Sequence, residues 1–409
     1  MTKTKYIKLI LILGSLTALG PFSIDMYLPG FSGIAKDLNT SVANVSMTLS
    51  SYFIGISAGQ LLYGPLLDRF GRKKPLFIGL IVYILASLGC AFVTDIDTFI
   101  GLRFIQAIGS CAATVASVSM VRDLFPVKDI PKVFSLLMLV VGLSPMLAPT
   151  VGGYITADYG WHTVFFILMC MGILILLAAQ IGLPNSFKPD TSISLKPKPI
   201  ITNFVSIVKE PQFYTYAFTG AIAFSGLFTY VAASPILFMD IFKVDAKTYG
   251  WIFAFMSLSF IGASQINSLL LRKFTSEQMI YGALITQSVI SILFLILAIN
   301  GSLGLYGTIA MLFLFLACLG ISNPNTAGLT LAPFPRNAGS ASALMGAIQL
   351  GLGALASFAV GVFVKDTMLP MVVIITVTTI LALIILIFGK RNIKKTIATS
   401  PDEGIAIVH

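Results

Sequence analysis

Long apolar blocks separated by short polar breaks run the whole length of this chain. A helix that crosses the hydrocarbon of a bilayer needs about 20 mostly apolar residues. Twelve blocks meet that length, near residues 7–29, 43–64, 75–94, 98–120, 132–156, 162–183, 212–236, 248–271, 277–298, 304–326, 338–363 and 368–389. Several contain Gly, Pro or polar residues, which membrane helices tolerate when neighbouring groups re-satisfy the backbone. The blocks fall six and six around a polar stretch carrying Pro184, Pro189, Pro197 and Pro199 among Lys188, Lys196 and Lys198. The pattern predicts an all-α integral membrane protein with 12 transmembrane helices. A first six-helix bundle is expected over 1–184, a cytoplasmic linker over 185–211, a second bundle over 212–389 and a cytoplasmic tail over 390–409.

Composition agrees. Of 409 residues 57% are hydrophobic and only 10% charged, against roughly 25% charged in soluble domains. The net charge of +10 would suit nucleic acid if the bases shared a face, but they sit in the breaks. With both termini cytoplasmic, Arg69, Arg72, Lys73, Lys74, Arg122, Lys128, Lys132, Arg272, Lys273, Arg336, Lys390, Arg391, Lys394 and Lys395 all fall inside. Lys36, Lys243, Lys247 and Lys365 fall outside. That asymmetry is the positive-inside signature, so the bases set topology and nucleic acid drops out. Lys3, Lys5 and Lys8 precede an apolar stretch with no small-residue cleavage site, which reads as an uncleaved first span. Cys90, Cys111, Cys170 and Cys318 lie inside apolar blocks without ligand spacing and read as small buried hydrophobes. No nucleotide-binding loop, metal cluster or catalytic triad is present, so neither an enzyme nor an ATP-driven pump is expected, and no cofactor.

The halves repeat weakly. Phe22–Pro29 aligns with Phe228–Pro235, Phe104–Gly109 with Phe315–Gly320, and Phe125-Pro126 with Phe334-Pro335. Near-constant offsets suit two related bundles around a central cavity. In this register Asp25 aligns with Val231, so only the first half carries an acid there.

The densest polar cluster is Gly64-Pro65-Leu66-Leu67-Asp68-Arg69-Phe70-Gly71-Arg72-Lys73-Lys74. Glycines allow tight turns and close backbone approach, and proline is expected to end the preceding helix. The cluster resembles the loop between helices 2 and 3 of the major facilitator superfamily of transporters. Asn267–Phe274 looks like a degenerate second copy without the acid. The resemblance implies a conformational latch of Gly64, Asp68, Arg69, Gly71, Arg72 and Asp123, with Asp123 pairing Arg72.

Asp25 and Arg103 are the charges well inside the predicted spans. By segment position both lie about 7–8 Å below the same surface. Charges in hydrocarbon are costly and face a cavity or each other. A structural salt bridge is one reading. The other is functional, because a carboxyl in a low-dielectric cavity can hold a proton and trade it for a substrate.

Asp25-Met-Tyr-Leu-Pro-Gly30 resembles the helix 1 signature of Bcr/CflA-type drug/proton antiporters, associated with bicyclomycin and chloramphenicol resistance. That resemblance implies proton and drug binding at Asp25. Some relatives carry a second acid eight residues earlier, where this chain has Thr17. Leu102–Gly109 resembles the family's helix 4 motif, implying proton coupling through Arg103. Pro145, Pro149, Gly152 and Gly153 resemble the antiporter motif of helix 5, implying close packing and bending.

By the same analogy Tyr27, Tyr52, Phe224, Phe228, Tyr230, Phe253, Phe255, Met256 and Asn325 line a weakly polar, aromatic cavity, with Asp25 as a further substrate contact. The expectation is a monomeric, multi-pass protein of the bacterial inner membrane, driven by the proton gradient, that exports amphipathic antibiotics by alternating access. Its partners are the drug, protons and the lipid bilayer. The alternative is proton-coupled transport of a small metabolite or nutrient, which the same fold supports.

Overall fold

The computed structural model describes residues 3–126, 129–184, 197–334, 338–363, 367–393 and 397. The described residues form helices and turns, with no strand among them. The first span is α1 (Lys3–Asp25), a 3-10 turn (Leu28–Gly30) and α2 (Phe31–Asp37). It is followed by α3 (Val42–Phe70), α4 (Lys73–Ala91), α5 (Ile96–Leu124), α6 (Ile130–Tyr159) and α7 (Trp161–Gly182). A short α8 (Pro197–Val208) leads to the second half: α9 (Pro211–Pro235) running into a π-helical turn (Ile236–Ile241), α10 (Ala246–Leu270), α11 (Ser276–Ile299), α12 (Leu305–Leu331), α13 (Ala338–Phe363) and α14 (Leu369–Lys390). Twelve of these segments are long and apolar enough to cross a membrane.

The packing repeats as the sequence does. In the first half α5 lies against α1, α3 and α4; in the second α12 lies against α9, α10 and α11. The halves meet along two seams, α3 on α13 and α6 on α10. Each seam joins the second span of one half to the fifth of the other. Small residues let both close. Ser50 Oγ donates to Ser357 Oγ at 2.9 Å and Ser57 Oγ to the Ala347 carbonyl at 2.9 Å. On the other seam a β-carbon at Gly250 would sit 2.8 Å from the Pro149 carbonyl oxygen. At the end of the bundle near Asp37 the halves are also tied by side chains. Ser32 Oγ donates to Asp240 Oδ1 at 3.1 Å, and Lys247 Nζ pairs with Asp158 at 2.8 Å.

Four expectations change. The first span does not end near Pro29: the helix stops at Asp25, turns at Leu28–Gly30 and resumes to Asp37, where Trp161 Nε1 donates to Asp37 Oδ2 at 2.8 Å. Asp25 therefore sits 12 residues from the span's end (37 − 25), deeper than the sequence estimate. Pro65 does not end α3, which runs on to Phe70, so Asp68 and Arg69 are helical. A proline lacks only one donor, and near the end of a membrane helix its freed acceptor can be re-satisfied. The linker holds a helix from Pro197, while 185–196 lies outside the described residues, as does most of the tail. Cys170 is exposed on α7, whereas the other three cysteines are buried.

Candidate functional site

α1 ends at Asp25 because Pro29, four residues on, has no N–H to bond the Asp25 carbonyl, and the chain tightens into the 3-10 turn Leu28–Gly30. The break is buried, with Asp25 5% exposed and Tyr27, Leu28, Pro29 and Gly30 covered. Gly152 of α6 makes this possible, since a β-carbon there would run into the Met26 carbonyl. One residue on, a β-carbon at Gly153 would meet the Ala246 carbonyl of α10. The two glycines thus serve different neighbours, the first-span break and the seam to the second half. Pro145 and Pro149 lie inside an uninterrupted α6.

Arg103 is fully buried, but it does not pair with Asp25. Its Nη2 donates to the Ser23 carbonyl at 2.9 Å and its Nη1 to Gln106 Oε1. Its guanidinium lies over the rings of Tyr27 and Tyr52, 4.3 and 4.2 Å from their centroids. A buried cation without a carboxylate is costly, and cation–π contacts with desolvated rings offset part of that cost. Tyr27 Oη lies 2.8 Å from Thr48 Oγ1, and Tyr52 Oη lies 2.8 Å from Ser110 Oγ. Beyond Gln106 the chain of bonds continues to Ser87 at 2.8 Å, while Ser23 Oγ reaches Tyr83 Oη at 2.7 Å. Ser23, Ser87, Gln106 and Ser110 were missed from the sequence. The readable signal was Gln106, three residues after Arg103 and so on its helical face.

Among the described residues Asp25 itself holds no hydrogen bond or ion pair, and it is absent from every salt bridge found. A second aromatic cluster lies in the other half. Tyr230 stacks on Phe253 at 5.5 Å, Phe253 lies 6.0 Å from Tyr249, and Phe228 lies 5.3 Å from Phe224. Phe53 of α3, also missed, touches Phe228 at 4.5 Å across the seam. Met256 is buried on the same helix as Phe253, whereas Phe255 points away, 48% exposed and stacked on Phe313 at 4.8 Å. Asn325 is buried but its amide is taken: Nδ2 donates to Asn267 Oδ1 at 2.7 Å.

The motif at the opposite end is assembled within the first half. Gly71 has φ +83°, a conformation that glycine adopts without strain, and turns α3 into α4. Arg72 then bonds Asp68 Oδ1 at 2.5 Å and Asp123 Oδ2 at 2.8 Å, joining α3, α4 and α5. Burial opposes the charge on Arg72, but its bonds to Asp123 and Asp68 outweigh it and push its pKa up. Arg69 lies 5.8 Å from the Phe70 ring. Gly64 has nothing within 4 Å of where a β-carbon would sit, so no close backbone approach depends on it.

The model of the Major Facilitator Superfamily matches residues 13–357. Over 386 residues the chain is 33% identical to the bicyclomycin resistance protein homolog of Haemophilus influenzae, covering 94% of this chain and 97% of that protein. Over 371 residues it is 26% identical to the chloramphenicol resistance protein of Pseudomonas aeruginosa, covering 89% and 86%. The crystal structure of a D-xylose-proton symporter shares the fold with a TM-score of 0.75, over 96% of this chain and 98% of that one, at 15% identity.

Proposed function

This chain belongs to the Major Facilitator Superfamily, and from that premise we propose that it exports amphipathic drugs in exchange for protons by alternating access. The observation that carries the reading is Asp25: a buried acid with no counter-ion, at a helix break. Such an acid is stable when protonated or when a cationic or hydrogen-bonding guest covers it. Proton and drug then compete for one group, and alternating exposure turns competition into exchange. Arg103 holds the Ser23 turn in place and keeps a positive charge near Asp25. The rings of Tyr27, Tyr52, Phe224, Phe228, Tyr230 and Phe253, with Met256, offer apolar contact to the drug. Asn325 shapes that wall through Asn267.

The relatives' names support antibiotics of the bicyclomycin or chloramphenicol kind as cargo. The Arg72 end is read as cytoplasmic from its bases, and the Asp37 end, tied by Ser32–Asp240 and Lys247–Asp158, as the outer face. The Asp68–Arg72–Asp123 cluster is then the cytoplasmic latch. The protein works in the plasma membrane of a bacterium as a monomer without a cofactor, its energy coming from the proton gradient. The test is growth of a pump-deficient bacterium expressing the chain. Raised tolerance to chloramphenicol or bicyclomycin, abolished by an uncoupler, is expected. Unchanged tolerance to a broad antibiotic panel, at normal protein level in the membrane, contradicts the proposal.

A further inference from the structure

The two seams enclose a space whose second-half wall runs α13, α9, α12, α10, since α9 lies against α13 and α12, and α12 against α10. Three amide side chains with no part in the proton site meet at that wall: Gln60 of α3, Gln349 of α13 and Asn323 of α12. Gln60 is one helical turn on from Ser57, which bonds the Ala347 carbonyl, so both face the same seam. Its amide head rests on α13 at Gly346, where a β-carbon would run into Oε1. Gln349 is three residues further along α13, and its Nε2 donates to Asn323 Oδ1 at 3.1 Å. Asn323 leaves α12 between Gly320, which packs on the Phe260 carbonyl of α10, and Thr326, which packs on Gly220 of α9. The backs of α9 and α12 are covered by α14 and α11, so the gap Asn323 points into opens on the central space. Depth agrees. Gln60 is 10 residues from the Phe70 end of α3 (70 − 60), Gln349 11 from the Ala338 end of α13 (349 − 338) and Asn323 8 from the Leu331 end of α12 (331 − 323). At 1.5 Å per residue all three lie about 12–17 Å in from the Arg72 side.

We propose that Gln60, Gln349 and Asn323 form a subsite that binds a neutral amide or hydroxyl group of the cargo and bridges the two halves. This deepens the drug-export reading and rests on it. The cluster has bonds to spare. Among the described residues the Gln60 side chain makes no hydrogen bond, although its Oε1 is buried. The side chains of Asn323 and Gln349 are bonded there only to each other, which leaves Asn323 Nδ2 as a donor and Gln349 Oε1 as an acceptor. All three residues are partly exposed rather than sealed in the core. A cargo carbonyl would accept from Asn323 Nδ2, and a cargo N–H or O–H would donate to Gln60 Oε1 or Gln349 Oε1. A buried acceptor without a partner is costly, so a guest that supplies the missing donor binds more tightly there than water alone would suggest. No charge is involved, so the subsite selects uncharged polar groups where Asp25 selects protons and cations. Gly346 keeps the notch open, because any side chain at that position would push the Gln60 amide aside.

Binding of two probes to the purified protein tests the assignment. Chloramphenicol is neutral and carries a secondary amide and hydroxyls; tetraphenylphosphonium is a cation with no hydrogen-bonding group. Gln60→Met and Gln349→Met keep the length of each side chain and remove its amide. Each should raise the Kd for chloramphenicol about fivefold to tenfold, the worth of one hydrogen bond, and leave the Kd for tetraphenylphosphonium unchanged. Gly346→Ala removes no polar group but displaces the Gln60 amide, and should weaken chloramphenicol binding in the same selective way. Equal losses for both probes would make the amides packing groups and overturn the subsite. Chloramphenicol affinity that stays at the parental value in both Met variants overturns it as well. Either result leaves the drug-export reading standing, because the parent still binds. A parent protein that binds neither probe overturns that reading, and the subsite with it.

Discussion

The two halves share a scaffold and differ in what they place at its centre. Helices α5 and α12 occupy equivalent positions. In the first half that position carries Arg103, bonded to Ser23 and Gln106 and covered by two tyrosine rings. The residue aligned with it in the second half, through Phe104 and Phe315, is Leu314, which is 46% exposed rather than buried at the centre. Asp25 likewise faces a half that has Val231 in its place. The first half holds charge and a hydrogen-bonded network; the second offers stacked rings, with the Tyr230 hydroxyl among its buried hydroxyls that have no partner. On the proposed reading a duplicated fold divides labour, with titration confined to one copy and cargo contact spread over both.

The largest effect expected from breaking this asymmetry is at Arg103. Arg103→Leu copies the second half into the first and strips donors from the Ser23 carbonyl and Gln106, at about 1–3 kcal/mol for each acceptor left buried. Transport should be lost, with a lower melting temperature. Arg103→Lys should recover folding but little transport, because an ammonium cannot reproduce the forked bonds. Efflux that survives Arg103→Leu at parental rate would show that the two halves are not functionally distinct.

A smaller effect separates the two glycines of α6. Gly152→Ala presses on the first-span break at Met26, and Gly153→Ala presses on the seam at Ala246. Both should destabilise by about 1–3 kcal/mol, since backbone carbonyls cannot move aside like side chains. Gly262→Ala on α10, where nothing lies within 4 Å, should be neutral or stabilising by about 0.5–1 kcal/mol. Thermal melts in detergent decide. Equal behaviour at all three positions would remove the close-packing account.

Next comes the Arg72 cluster, which has no matching triad among the described residues of the second half. Asp123 is 17% exposed and Asp68 45% exposed. Asp123→Asn should cost about 1–3 kcal/mol, because it takes a charged partner from a largely covered arginine. Asp68→Asn, an exposed pair four residues apart on the chain, should cost about 0.3–0.5 kcal/mol. Cysteine accessibility at the Arg72 end should rise more in the first variant than in the second. The reverse order would reassign the latch to Asp68.

The smallest effects are expected at two helix caps, one in each half. Asp95 caps α5 and Asp245 caps α10, each accepting from backbone N–H groups. The Thr98 backbone N–H holds the Asp95 carboxyl below its usual value of 3.8, and bonds from the Thr248 hydroxyl and N–H do the same for Asp245. A carboxyl lowered by folding stabilises above its unfolded value, and that contribution disappears as pH falls through the folded value. Asp95→Ala and Asp245→Ala should thus differ from the parent at neutral pH and converge on it in strongly acidic solution. A difference that grows on acidification would contradict the capping assignment.

Hydrophobic pattern alone gave the twelve spans, because burying a backbone in hydrocarbon leaves helices as the available solution, but the first span runs on from 29 to Asp37 and the second from 64 to Phe70. Breaks were harder to read. Pro29 suggested an end, yet the helix resumes, since a proline in the opening turn of the next helix is tolerated. Pro197 and Pro199, taken for linker residues, open α8 for the same reason, and Phe204, Ile207 and Val208 at helical spacing were its readable signal. The relation of Asp25 to Arg103 was not legible at all. Segment position gives depth but not the direction in which each side chain leaves its helix. Arg103 turned out to reach Ser23 rather than the acid two residues on.

Drug-induced proton release from purified Asp25→Asn protein, followed across a pH series, tests the central claim most directly. The parent should release protons on adding chloramphenicol or a related amphipathic drug, with a pH-dependent yield. The variant should release none, while neutral drugs still bind. Release from Asp25→Asn equal to that of the parent would mean that proton coupling lies elsewhere.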